Sequence, residues 1–186
     1  MILPAGVRAL VLTVSDGVAA GVRTDISGTG LADRLQAIGA AVDRAVCPDE
    51  LETIAAAIQS AAIDHSLVVS TGGTGLTPRD VTPQAVATIL DYAIPGIGEA
   101  MRAAGRASTP LADLSRSGAG VCGRSLVLYL PGSPRGALES FAAVEGLLAH
   151  ALETLAGPHD HDAPRTDDVP RAATAVAYDP GEEAVH

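Results

Sequence analysis

Apolar residues along this chain follow two patterns, one typical of buried strands and one typical of amphipathic helices. Short aliphatic runs predict strands at 8–16, 41–47, 66–70 and 125–130. Apolar residues at helical spacing predict helices at 31–40, 48–62, 84–93, 95–105 and 134–157. Because strands alternate with helices, we expect right-handed crossovers and an α/β fold with a mainly parallel central sheet.

The chain's composition restricts what fills the core and which chemistry is available. Of the 186 residues, 47% are hydrophobic but only 2% are aromatic, so Ala, Val, Leu and Ile must build the core. All twelve basic residues are arginines, which excludes a lysine Schiff base and a P-loop lysine.

Net charge, cysteine content and hydropathy restrict the partners and the cellular location of the protein. A formal charge of −10 argues against a nucleic-acid partner, because phosphate binding needs a basic surface. Two cysteines are too few for a disulfide framework and favour reduced thiols in a cytoplasmic protein. The first ten residues do not resemble a signal peptide, and no segment approaches the ~20 apolar residues of a membrane span.

The composition changes near residue 157, which suggests a domain at 1–156 followed by a tail at 157–186. The tail contains seven acidic residues, two arginines and four prolines, without apolar periodicity. Such a segment buries too little apolar surface to offset its ordering entropy, so we expect it to be disordered.

The segment STGGTG, residues 70–75, follows the most apolar predicted strand. Glycines let the backbone turn tightly and approach a ligand, and free N–H groups there suit phosphate oxygens. An ordinary glycine-rich turn is an equally good interpretation of this segment alone. Neither the Walker A pattern nor GxGxxG is present, so a P-loop or a Rossmann dinucleotide site is not supported.

Asp80 follows the glycines, between Arg79 and a Thr-Pro step. A carboxylate near phosphates is repulsive unless a cation lies between them, and Mg²⁺ binds through one or two carboxylates plus phosphates. A helix N-cap or an ion pair with Arg79 is the alternative.

Other predicted strands also end in polar or Gly/Pro-rich segments, Ser15-Asp16, 47–50 and 130–134, so we expect these ends to line one crevice.

Together, VSD at 14–16, TGGTGLTPRDVTPQA, PGIGEAMR, LSRSGAGVCGRSLVLYLPGSP and their order resemble the MoaB/Mog-like molybdenum cofactor biosynthesis family. The resemblance covers about residues 7–156. It implies a three-layer α/β/α, molybdopterin-binding fold, assembled as a homotrimer or hexamer. It also implies ATP and molybdopterin as substrates, Mg²⁺ as cofactor, and other molybdenum cofactor biosynthesis proteins as partners.

The resemblance implies a role for each matching residue. The catalytic and Mg²⁺-binding residues would be Asp49 and Asp80. The nucleotide phosphates would be held by Thr71, Gly72, Gly73, Thr74 and Gly75. Molybdopterin would be bound by Ser15, Asp16, Ser115, Arg116, Pro131, Gly132, Ser133 and Pro134.

The reaction that follows from this resemblance is adenylyl transfer from ATP to molybdopterin, releasing pyrophosphate. A non-catalytic molybdopterin-binding paralogue, acting as carrier or assembly partner, is the alternative. The presence of both Asp49 and Asp80 favours the enzyme. We expect His65 to be a surface residue with no part in the chemistry.

Overall fold

The computed structural model describes residues 2–157. The predicted tail at 157–186 lies outside the described residues, except for Gly157. Six strands form one sheet: β1 Arg8–Val14, β2 Ala41–Cys47, β3 Leu67–Thr71, β4 Tyr92–Ala93, β5 Gly118–Cys122 and β6 Ser125–Leu130. The helices are α1 Asp16–Ala19, α2 Ile26–Ala37, α3 Leu51–Asp64, α4 Thr82–Ala87, α5 Pro95–Gly105 and α6 Pro134–Ala156, with a 3-10 helix at Pro110–Leu114.

The strand order is β2-β1-β3-β6-β5-β4. Strands β2, β1, β3 and β6 are parallel to one another. Strand β5 pairs antiparallel with β6, and β4 pairs antiparallel with β5. The prediction of a mainly parallel α/β sheet is therefore confirmed.

Each face of the sheet packs on its own helices, because successive strand side chains point to opposite faces. On one face, Val11, Val69 and Leu128 pack in a cluster with residues of α2, α5 and α6. On the other, Leu12 and Val68 pack in a cluster with residues of α3 and α4. These two apolar layers give the expected α/β/α architecture.

Several elements differ from the sequence-based prediction, and α1 and the 3-10 helix are among those that were not predicted. Strand β5 was not predicted, because its GAGVC sequence carries two glycines, which are depleted in strands. Helix α4 ends at Ala87 rather than at 93, and the end of the predicted helix forms the edge strand β4. Helix α2 begins five residues before the predicted start at 31, because Asp25 caps it and accepts a hydrogen bond from the Gly28 N–H.

The prediction that His65 is a surface residue is wrong. Its side chain is only 11% exposed, and its two ring nitrogens lie 3.0 Å from the Ala61 carbonyl and 2.9 Å from an Asp43 carboxylate oxygen. His65 thus links the end of α3 to β2.

Among the helices of residues 2–157, none combines the length with the apolar character that a membrane span requires.

Candidate active site

The carboxyl ends of four parallel strands meet along one edge of the sheet. Val14 is in register with Cys47, Thr13 with Thr71, and Thr71 with Leu130. Because β5 is antiparallel, the segment that precedes it reaches the same edge. The sheet therefore brings the predicted strand-end residues together at one place, where open α/β sheets bind ligands.

The TGGTG loop, residues 71–75, is fixed by hydrogen bonds at its base. The Gly72 N–H donates to the Leu130 carbonyl at 3.1 Å. Thr82, which is fully buried, donates its hydroxyl to the Gly72 carbonyl at 2.9 Å and its N–H to the Gly73 carbonyl at 3.1 Å. Of the described residues, none accepts a hydrogen bond from the N–H of Gly73 or Thr74. These two amides remain available for an anion.

Glycine is required in this loop because other groups approach its backbone closely. Gly73 has a φ of +63°, and a Cβ there would lie 2.4 Å from Thr82 Oγ1 and 3.2 Å from Asp49 Oδ1. A Cβ on Gly75 would lie 2.9 Å from Asp80 Oδ2. The glycines thus allow two carboxylates to sit against the same loop, Asp49 at Gly73 and Asp80 at Gly75.

Asp49 is held by Asp16. The Asp16 N–H donates to Asp49 Oδ2 at 2.9 Å, and the Asp49 N–H donates to Asp16 Oδ1 at 3.0 Å. Arg79 binds both Asp16 oxygens, with its Nη2 at 2.7 and 2.6 Å. The Arg79 hydrogen bonds, followed by that from the Asp49 N–H, lower the pKa of Asp16. Among the described residues, no group donates to Asp49 Oδ1, which is left for a ligand.

Asp80 is held by its own turn rather than by Arg79. Its Oδ2 accepts from the Thr77 N–H at 2.8 Å and from the Thr77 hydroxyl at 2.6 Å. Burial raises the pKa of Asp80, but hydrogen bonds from Thr77 and Gly75 and the charge of Arg116 outweigh it, so the pKa lies below its ordinary value. The cap residue of α4 is Val81, so Asp80 is not the N-cap. Neither alternative raised for Asp80 from the sequence describes its contacts.

Two clefts flank the TGGTG loop. The first cleft, of about 510 Å³, lies among β1, α2 and the loop, and its lining includes Ser15, Asp49, Thr71, Gly72 and Pro134. The second cleft, of about 500 Å³, lies toward the 3-10 helix, and its lining includes Thr74, Gly75, Ser115 and Pro131. Both clefts are lined by Gly73, Asp80, Gly132 and Ser133.

The residues expected to bind molybdopterin are divided between these clefts. Ser15 lines the first cleft and Ser115 the second, while Pro131–Pro134 spans both. Asp16 and Arg116 line neither of the two. Asp16 holds Asp49 instead, and Arg116 donates to backbone carbonyls of the loops that carry Gly75 and Asp80.

Sequence reasoning missed several residues of the first cleft, among them Arg23, Asp25 and Ser27. The carboxylate of Asp25 caps α2 and accepts from Thr13 and Arg44, and Ser27 donates to the Gly132 carbonyl at 2.8 Å. Asp25 was detectable as an N-cap residue, but Gly28 and Gly30 within the first turns concealed the helix. The guanidinium of Arg23 lines the cleft without a hydrogen-bond partner among the described residues, and nothing in the sequence distinguished it from other loop arginines.

The arrangement suits a divalent metal that is bound jointly with phosphates. Within residues 2–157, no three His, Cys, Asp or Glu side chains gather to hold a metal by themselves. Asp49 and Asp80, however, both line the first cleft beside unpaired loop amides. Hard oxygen ligands of this number fit Mg²⁺, which takes its remaining ligands from substrate phosphates and water.

Comparison with known proteins adds to this geometry. Residues 10–150 match the family described as "Probable molybdopterin binding domain". The chain is 46% identical over 159 residues to a molybdenum cofactor biosynthesis bifunctional protein of Synechococcus elongatus, covering 84% of this chain and 50% of that protein. The chain thus spans about half the length of that curated relative.

Two further similarities extend over most of both proteins compared. A molybdopterin adenylyltransferase of Helicobacter pylori is 32% identical over 152 residues, covering 79% of this chain and 86% of that protein. The crystal structure of the molybdopterin biosynthesis enzyme MoaB of Thermus thermophilus has 43% sequence identity and a TM-score of 0.74, covering 82% of this chain and 98% of that one. The similarity therefore includes both the sequence and the fold of residues that build the two clefts.

Proposed function

This chain belongs to the MoaB/Mog-like molybdenum cofactor biosynthesis family, and on that premise we propose that it transfers the adenylyl group of ATP to molybdopterin. A terminal phosphate oxygen of molybdopterin attacks the α-phosphorus of ATP. The bond from that phosphorus to the bridging oxygen breaks, and pyrophosphate leaves with the electron pair. No protein nucleophile is needed, so positioning and charge neutralisation must supply the rate enhancement.

One observation carries this proposal: two carboxylates lie against two glycines of a loop that has amides unpaired among the described residues. Asp49 lies against Gly73 and Asp80 against Gly75. The amides of Gly73 and Thr74 are unpaired among the described residues and, in this proposal, donate to phosphate oxygens. A turn that served only to connect β3 to α4 would not need carboxylates so near its backbone.

The proposed cofactor is Mg²⁺, held by Asp49 and Asp80. When bound, it supplies the positive charge that offsets the phosphate oxygens and the leaving pyrophosphate. Asp16 and Thr77 keep the two carboxylates oriented before substrate arrives. The amino ends of α2 and α6, which border the first cleft at Ser27 and Pro134, favour negative charge at the same place.

The assembly and location are also proposals. We propose a trimer or hexamer, because the family resemblance implies it, and Leu111 and Leu114 are large apolar side chains left 67% and 53% exposed. The cytoplasm is the proposed location, since Cys47 and Cys122 are both free and buried. Light scattering at micromolar concentration tests the assembly, and a monomer there would contradict it.

Pyrophosphate release tests the reaction itself. The full chain is incubated with ATP, Mg²⁺ and molybdopterin, and pyrophosphate and adenylylated molybdopterin are measured. We expect both products in equal amounts, and neither when Mg²⁺ or molybdopterin is omitted. If molybdopterin binds but no pyrophosphate forms, the protein is a non-catalytic carrier and the proposed activity is wrong.

A further inference from the structure

Arg116 makes three contacts with the loops of the active site, all of them with backbone carbonyls. Its N–H donates to the Thr74 carbonyl at 3.0 Å. Its side-chain Nε donates to the Gly75 carbonyl at 2.8 Å, and its Nη2 donates to the Asp80 carbonyl. One residue therefore joins the end of the TGGTG loop to the residue that carries the second carboxylate.

These contacts use the planar shape of the guanidinium group. Two donors on one rigid plane fix the separation and the relative orientation of two acceptors, which a lysine ammonium on a flexible stem does not. The acceptors here are the carbonyls of Gly75 and Asp80. The backbone of Gly75 also lies close to the carboxylate of Asp80. The fork therefore fixes the backbone of Asp80 relative to that of Gly75.

The segment that carries Arg116 is itself held from the opposite side. Arg102 of α5 donates to the Ser115 carbonyl at 3.4 Å and to the Ser117 carbonyl at 3.1 Å. The Ser115 and Ser117 hydroxyls are 2.6 Å apart. Arg116 thus extends toward the glycine loop from a fixed base at the amino end of β5.

We propose that Arg116 is a positioning residue for adenylyl transfer, which orients Asp80 against the TGGTG loop and does not itself contact a substrate. This inference rests on the proposed function. It differs from the molybdopterin-binding role that the family resemblance implies for Arg116. Arg116 does not line either cleft, whereas its neighbour Ser115 lines the second.

The test compares Arg116→Lys and Arg116→Ala with the matched control Arg106→Lys. Arg106 lies at the carboxyl end of α5, is 53% exposed and pairs with Asp113. Amide hydrogen exchange is measured at Thr77 and Asp80, whose N–H groups bond within the segment that Arg116 holds. The kcat of pyrophosphate release and the KM for molybdopterin are measured on the same proteins, together with melting temperatures.

We expect faster exchange at Thr77 and Asp80 in both Arg116 variants and no change in Arg106→Lys. The kcat should fall between about tenfold and a hundredfold, since misplacing a reacting group by ~1 Å costs up to that much, while the KM for molybdopterin stays within about twofold. Added guanidinium ion should restore part of the kcat of Arg116→Ala but not that of Arg116→Lys, whose side chain fills the site.

Two results would overturn the inference. Unchanged exchange at Thr77 and Asp80 in both Arg116 variants means that the fork does not hold the loop. A raised KM for molybdopterin with an unchanged kcat means that Arg116 binds substrate. If the wild-type protein releases no pyrophosphate, the proposed function fails, and exchange alone then decides whether Arg116 holds the loop.

Discussion

Asp16 and Asp49 fix each other, because the backbone N–H of each donates to a carboxylate oxygen of the other, at 2.9 and 3.0 Å. The pair joins the start of α1, which follows β1, to the segment that follows β2. Arg79 binds Asp16 from the far side and adjoins Asp80 in the chain. The two proposed metal-binding aspartates are therefore linked through one short set of contacts.

Asp80→Asn should abolish adenylyl transfer while leaving the fold intact. The amide oxygen can still accept from Thr77, but the charge that holds Mg²⁺ is lost. A loss of ~3 kcal/mol in transition-state stabilisation lowers kcat more than a hundredfold. Asp113→Asn, an exposed carboxylate paired with Arg106, serves as the control. Near-normal pyrophosphate release by Asp80→Asn at limiting Mg²⁺ would show that the Asp80 side chain only stabilises its own turn through Thr77 and does not hold the metal.

Asp49→Asn should impair the same step, so the two substitutions should combine far from additively. Once one carboxylate is gone, the other holds the metal poorly and its removal costs little more. We expect the double variant to release pyrophosphate at nearly the rate of the slower single variant. Multiplied losses in the double-mutant cycle would instead assign the two aspartates to independent steps.

Gly73→Ala should lower both stability and activity. The added Cβ meets Thr82 Oγ1 at 2.4 Å, and a φ of +63° strains any residue with a side chain. We expect a loss of about 1–3 kcal/mol in the free energy of unfolding. Gly96→Ala is the matched control, because it lies in the first turn of α5 with open space around it and should be neutral or stabilising. Equal stability of the two variants by thermal unfolding would contradict this account of the loop.

Arg23→Gln should raise the KM for ATP with little effect on the fold. Of the described residues that line the first cleft, Arg23 alone is basic, and its guanidinium has no hydrogen-bond partner within residues 2–157. A charge-assisted contact with phosphate contributes about 1.5–3 kcal/mol, which corresponds to a rise in KM of at least tenfold. Arg124→Gln, which removes a hydrogen bond to the Ala156 carbonyl near the end of α6, is the control. An unchanged KM for ATP in Arg23→Gln would exclude Arg23 from the phosphate site.

The Asp16–Arg79 pair predicts a dependence of stability on acid pH. The folded pKa of Asp16 lies below the ordinary value of 3.8, chiefly because Arg79 donates to it. Its contribution to stability is therefore present above that value and lost as the pH falls through the folded pKa. Melting temperatures of wild type and Asp16→Asn should differ near neutral pH and converge in strong acid. Arg79→Gln should behave as Asp16→Asn does, and a constant difference at every pH would contradict the ionic origin.

The sequence revealed the strands that are built from aliphatic residues, but not the one built from small residues. Runs such as LVVS and SLVLYL identify buried strands by composition alone. Strand β5 pairs through its backbone, and Gly120 is required because a Cβ there would lie 2.6 Å from the Tyr92 carbonyl. Such a strand is specified by its neighbours in the sheet, which a local pattern does not contain.

The site was only partly visible in the sequence for a similar reason. Asp80 and the glycines stand in one contiguous motif, so their proximity followed from spacing. The bonds from Arg116 to Gly75 and Asp80, and the reciprocal bonds of Asp16 and Asp49, join segments more than 30 residues apart. The direction of the Arg116 side chain, toward a cleft or toward backbone carbonyls, depends on how these distant segments pack together.

The two ends of the sheet bear on how copies of this protein can aggregate. An open edge strand is a template for pairing with another chain, and proteins block it with short strands or charged residues. Strand β4, at one edge, has only two residues, while β2, at the other, carries Asp43 and Arg44 in its centre. Continuation of the sheet from molecule to molecule is therefore disfavoured at both edges, and we expect the proposed trimer or hexamer to form through helices and loops.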